Sequence, residues 1–249
     1  MQFRCISRLY VERCCDARII YMKPLIRKVV AALIVLALLV VAGPWVYINL
    51  IKDDAPDALS LEPAVTTTAG EAPPTTSATD GEWAVVADSV VGYRVKEILF
   101  GQDTEGVGRT SAVAGSLVIA NNEVTSAEFS VDMTTIKSDS SRRDRQVDNR
   151  ILDTVTYPTA TFALNSPISL TPEALAGSDF TVNTTGTLTL RGVTKDIPVT
   201  LIARLVDNVI EVNGTIEIVF AEWQIPDPSI SAIVVEDRGL LEFLIRFSR

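Results

Sequence analysis

From Gly81 to Arg249 apolar residues return at every second position in segment after segment, and a period of two admits strands where helices need 3.6. Val91, Tyr93 and Val95 alternate with Gly92, Arg94 and Lys96; Val113, Gly115, Leu117 and Ile119 alternate in part; Phe129, Val131 and Met133 alternate with Ser130, Asp132 and Thr134. The pattern recurs at Ala160, Phe162 and Leu164, at Leu188 and Leu190, and at Ile197, Val199, Leu201, Ala203 and Leu205. It returns at Ile210, Val212, Ile216, Ile218 and Phe220, then at Leu241, Phe243, Ile245 and Phe247. The stretches "ANNE", "RGVTK" and "VDN" between runs have turn chemistry. A strand with one apolar and one wet face belongs to an antiparallel sheet. The expected fold class is therefore all-β. Long strands suit an extended antiparallel barrel of about eight strands, wide enough to hold one small ligand. A two-sheet sandwich satisfies the same pattern. The 169 residues from Gly81 onward suffice for one domain that buries roughly 70% of its unfolded surface.

Upstream the chain changes character twice. Val29 to Ile51 is a run of 23 residues without a charge, and as a helix it spans roughly 34 Å, enough to cross a hydrocarbon core of about 30 Å. Residues 1–52 carry 8 Lys and Arg against 2 acids, whereas residues 53–80 carry 6 acids and no base. That step predicts a signal-anchor at 29–51, with residues 1–28 cytoplasmic and the remainder outside the cytoplasm. Trp45 and Tyr47 suit the outer interface. A cleaved signal sequence, with Val40 and Ala42 as small residues before the cut, is the competing reading. A start at Met22 would leave residues 1–21 untranslated, and all three cysteines, Cys5, Cys14 and Cys15, lie there. Residues 52–80, rich in Pro, Thr, Ala and acids, lack the apolar bulk to offset ordering entropy and read as a disordered linker. The domain at 81–249 then contains neither Cys nor His. Disulfides, thiol chemistry and histidine bases are excluded from it.

The stretch "RRDRQVDNRILDTVTYPTATF", residues 142–162, interrupts the strand pattern. Ser141 and Asp144 have the form of a capping box, and Val147, Ile151 and Leu152 give Arg142 to Leu152 one narrow apolar stripe. Most of its charges read as a solvated face. A single short helix in an all-β domain is expected to cover a barrel mouth, with Val147, Ile151 and Leu152 as the lid contacts.

Two segments in order, this one and "GTLTLRGVTKDIPVTL" at residues 186–201, resemble the paired motifs of the YceI family of bacterial envelopes. The first carries Arg-Asp, a leucine-bearing helix, an Asp and Tyr-Pro-x-x-x-Phe; the second carries the Leu-Thr-x-Arg-Gly-Val-Thr-Lys hairpin. "EWAVVADSVVGYRVKE" resembles the first hairpin, and the likeness runs from about Trp83 to Phe247. The resemblance implies a lipocalin-like barrel that holds a long-chain isoprenoid or related amphiphilic lipid. The candidate lining is then Tyr93, Phe129, Val131, Phe162, Leu164, Leu188, Leu190, Val199, Leu201, Ile216 and Ile218. Members often have a His near the end of the first long strand; Lys96 and Glu97 stand there in this chain.

Other function classes fare worse. A glycine-rich phosphate loop, a G-x-S-x-G elbow and H-E-x-x-H do not occur. Carboxylate chemistry would have to come from Asp144, Asp148 and Asp153, beside Arg143, Arg145 and Arg150. The domain's 23 acids against 14 bases argue against nucleic acid. The expectation is thus a membrane-anchored binding protein with lipid as ligand and partner, no cofactor, no metal and no catalysis. An inert envelope module with a filled core is the alternative, separated from it by whether the interior is packed or empty.

Overall fold

A computed structural model describes residues 24–52, 54–61, 79–230 and 233–249. The chain forms two units, one ending at Lys52 and the other beginning at Asp53. The first is a helix, α1 (Pro24–Val46), continued by a wider turn over Tyr47–Ile51. Ile26–Leu50 is long and apolar enough to cross a membrane, as a membrane anchor or a signal sequence would be. The expectations for residues 1–21 lie outside the described residues.

Among the described residues the second unit is an antiparallel sheet of thirteen strands. They are β1 (Gly81–Val85), β2 (Val90–Leu99), β3 (Gln102–Thr110), β4 (Val113–Ala120), β5 (Glu123–Asp132), β6 (Lys137–Ser138) and β7 (Thr159–Leu164). There follow β8 (Ile168–Ser169), β9 (Phe180–Leu190), β10 (Val193–Val206), β11 (Val209–Val219), β12 (Ile233–Val235) and β13 (Arg238–Ser248). Pairing runs β1-β4-β5-β7-β9-β10-β11-β13, and β13 returns to β1 through Val85 and Phe247, so eight strands close a barrel. Closure leaves no free edge along this ring. β1 and β2 behave as one bent strand against β4 and β3: Trp83 pairs with Leu117 and Tyr93 with Gly108. At the bend the Ser89 hydroxyl donates to Val86 O at 2.8 Å and accepts from Arg246 N at 3.0 Å.

Tight turns set the registers. Phe100-Gly101, Asn121-Asn122, Arg191-Gly192 and Asp207-Asn208 each hold both residues at positive φ, the twist that two-residue hairpins require. The last three are the turn stretches expected from sequence. β3, "QDTEGVGRT", has no apolar alternation and is a strand because β2 pairs with it along its whole length.

β5 stops at Asp132 and β7 starts at Thr159; the segment between them covers one end of the barrel, here called the upper end. Within it β6 pairs with β3, and α2 (Ser141–Gln146) widens into a turn over Val147–Ile151. The helix thus starts and ends close to expectation, but its cap differs. Ser140, not Ser141, accepts from Arg143 N, at 3.4 Å. Asp144 is drawn off by Ser138, whose N and Oγ donate to its Oδ1 at 2.9 and 2.6 Å. A further short helix, α3 (Pro172–Leu175), capped by Thr171, was not expected from the pattern.

Residues 54–61 belong to the segment expected as a disordered linker, whose residues 62–78 lie outside the described residues, and they run along the outer wall of the barrel. Pro56 O accepts from Arg94 Nη2 at 2.6 Å, Asp57 O from Arg109 Nη2, and Leu59 O from Asn213 Nδ2 at 2.9 Å. Arg94 and Arg109 also grip Glu242, at 3.2 and 2.7 Å, and Glu242 is only 1% exposed. Outward-facing positions of a barrel are ordinarily wet. Here Val107, Asn213 and Leu244 are buried on that face, so this sector of the wall is covered.

Candidate functional site

The alternating inward side chains do not fill the barrel. A cavity of about 190 Å³ lies at the upper end under α2 and the loop after β11, and a second of about 120 Å³ lies toward α3. Six residues of the expected lining, Tyr93, Val131, Leu188, Leu190, Ile216 and Ile218, face the upper cavity. Val147, Ile151 and Leu152 of the expected lid face it as well. Phe129 and Phe162 face both cavities, and Leu164 and Leu201 face the lower one. Val199 is the exception. It points inward and is buried, but it packs into the core cluster instead of lining a void.

Sequence reasoning missed the charged end of the upper cavity. Glu97 ends up inward because β2 keeps strict alternation beyond Tyr93 and Val95. Its carboxylate accepts from Arg143 Nη2 at 2.9 Å and from Thr104 Oγ1 at 3.3 Å. Arg143 also pairs with Asp139. Burial acts to lower the Arg143 guanidinium, and the opposing charges of Glu97 and Asp139 outweigh it, leaving the group above its ordinary value. Arg143 and Asp144 read from sequence as surface charges at a helix start, with contact to a ligand head group as the lesser reading, yet the Arg143 side chain is 17% exposed. The correction follows from the fold: β6 brings α2 against β3, where Arg143 meets Glu97 across Gly106. Arg142 and Gln146 complete this rim.

Tyr93 stands just inside the rim, over Gly108. Its hydroxyl is buried without a hydrogen-bond partner among the described residues, and burial pushes the phenol well above its ordinary value. It is a neutral group able to donate one bond into the cavity. Ile225, Pro228 and Ile230 of the loop after β11, and Val235 of β12, also line the upper cavity. They were missed because the stretch "WQIPDPSISAIVV" is apolar without a period.

The site is chemically one-sided: an apolar sleeve ending in an ion pair and a phenol. Asp144, Asp148 and Asp153, from which carboxylate chemistry would have to come, line neither cavity. Such a site can bury an alkyl chain and hold one polar end.

Comparison with known proteins accords with this geometry. The family model described as the YceI-like domain matches residues 83–247. A polyisoprenoid-binding domain from Saccharophagus degradans, implicated in plant cell wall breakdown, superposes with a TM-score of 0.53 at 18% identity, covering 67% of this chain and 97% of that one. Burkholderia cenocepacia BcnA superposes with a TM-score of 0.49 at 18% identity, over 63% of this chain and 95% of that one. No curated protein matches.

Proposed function

The chain belongs to the YceI-like family, and on that premise we propose that its barrel binds a long-chain isoprenoid or related amphiphilic lipid and performs no reaction on it. The observation that carries this reading is the upper cavity that the side chains leave unfilled. A structural module would fill its interior, since packed cores leave few voids larger than a water molecule, whereas this barrel keeps about 190 Å³ open behind an apolar wall. The polyisoprenoid-binding domain of similar fold supports the choice of ligand class. The alkyl chain lies among Val131, Leu188, Leu190, Ile216 and Ile218, and the polar end faces Tyr93, Arg143 and Glu97. Burying ten methylenes contributes about 8 kcal/mol before ordering costs, which sets roughly micromolar affinity as an upper bound for a chain of that length.

We place the domain outside the cytoplasm on one membrane-spanning helix, from the charge step that flanks Val29 to Ile51. Two experiments test the proposal. Native mass spectrometry of the full chain purified from its host membranes is expected to show a lipid adduct that organic extraction removes; a bare mass in every preparation would refute lipid binding. Protease added to intact wall-stripped cells is expected to digest the domain, and a domain that survives until lysis would refute the topology.

A further inference from the structure

We propose that three phenylalanines at the waist of the barrel, Phe129, Phe162 and Phe243, form a gate that sets how long a chain the barrel accepts; the proposal rests on the lipid-binding reading above. Phe129 on β5 and Phe162 on β7 are directly opposed across the strand pair. Their rings stack with centroids 5.3 Å apart and planes at 22°. Phe243 on β13 is no neighbour of either strand, because β4 and β1 lie between β5 and β13. Its ring nonetheless stands 6.0 Å from that of Phe129. This contact spans the lumen instead of following a ladder. Phe129 and Phe162 line both cavities, and Phe243 lines the lower one. The three rings therefore partition the interior into an upper compartment of about 190 Å³ and a lower one of about 120 Å³.

Glycines decide where these rings can go. A Cβ added at Gly186 would stand 2.1 Å from Phe162 Cζ, and one added at Gly214 would stand 2.5 Å from Phe243 Cζ. Both ring tips already rest on bare backbone, so neither can retreat further into the wall. The waist opens only if the rings tilt along the barrel axis. A chain entering beneath α2 stops at the closed rings, and its remaining carbons gain no burial. With the rings aside, the apolar wall of Phe180, Val182, Leu201 and Leu205 below becomes available to a longer chain.

The test is native mass spectrometry of the full chain, stripped of lipid and offered equal amounts of farnesol, geranylgeraniol and solanesol, prenyl alcohols of three, four and nine isoprene units. Wild type is expected to load the two shorter alcohols at least as well as solanesol. Phe129→Leu keeps an apolar wall and removes the one ring that touches both others. It is expected to raise the ratio of solanesol to farnesol about tenfold or more, the gain from burying a few further methylenes. Phe243→Leu provides a second route should the first variant melt early. Adding Leu175→Trp, which fills the lower compartment from α3, should return the ratio toward wild type. A solanesol preference already present in wild type, or an unchanged ratio in both Phe variants, overturns the gate and leaves lipid binding standing. Loading of none of the three alcohols overturns the lipid-binding reading and the gate with it.

Discussion

At the scale of single residues, the interior is governed by pairs in which an aromatic ring occupies the space that a glycine leaves. Gly108 faces the Tyr93 ring, Gly186 that of Phe162, and Gly214 that of Phe243. Gly214 has no need of a glycine backbone, since it lies within β11, and its small size serves the Phe243 ring alone. Gly214→Ala should therefore overpack the core and cost about 1 to 3 kcal/mol, read as a lower midpoint in chemical denaturation. Tyr93 predicts the opposite sign. Its buried hydroxyl meets no hydrogen-bond partner of good geometry among the described residues, the Ser138 hydroxyl lying beside it, so Tyr93→Phe removes an unmet desolvation cost and should leave the lipid-free chain as stable as wild type or more so. A loss above about 1 kcal/mol would show that the hydroxyl is bonded.

At the scale of elements, the lid and the outer-wall segment are each held by a few contacts. α2 and its following turn are too short to be helical alone in water and depend on Val147, Ile151 and Leu152, which pack over the upper cavity. Ile151→Ala should cost about 2 kcal/mol and hasten lipid exchange. Asp148→Asn should stay within about 0.5 kcal/mol, because it keeps the oxygen that accepts from Thr154 Oγ1. A larger effect of Asp148→Asn on release rate or melting would argue that the helix carries chemistry and not a lid. On the outer wall, Glu242 is buried between Arg94 and Arg109. Glu242→Ala leaves Arg109 without that carboxylate and should cost about 3 kcal/mol. It should also loosen residues 54–61, which both arginines hold by carbonyl oxygens, and limited proteolysis between the helix and the barrel would then quicken.

At the scale of the whole molecule, an empty barrel gains stability from whatever fills it. A ligand present at a hundred times its dissociation constant stabilises by about 2.7 kcal/mol, so stripping lipid should lower the melting temperature and adding back an isoprenoid should restore it; an unchanged melt would mean that the cavity stays empty. The period of two determined the strands and their inward faces, because alternation on a pleated strand allows only two directions for a side chain, and ten of the eleven candidate residues border one of the two cavities. The apolar run and the charge step at Val29 to Ile51 were equally plain from residues alone. Closure of the ring was not, since it depends on β13 meeting both β11 and β1, more than 150 residues apart from the latter. Nor was the burial of Arg143, whose partner Glu97 lies 46 residues away in the chain, where local charge patterning cannot reveal it. The covered outer wall and the Phe129–Phe243 contact across the lumen belong to the same class. A side chain's direction is set within its own strand, and so it can be read along the chain; what that side chain meets is set by how distant strands curve and close, and only the tertiary structure decides it.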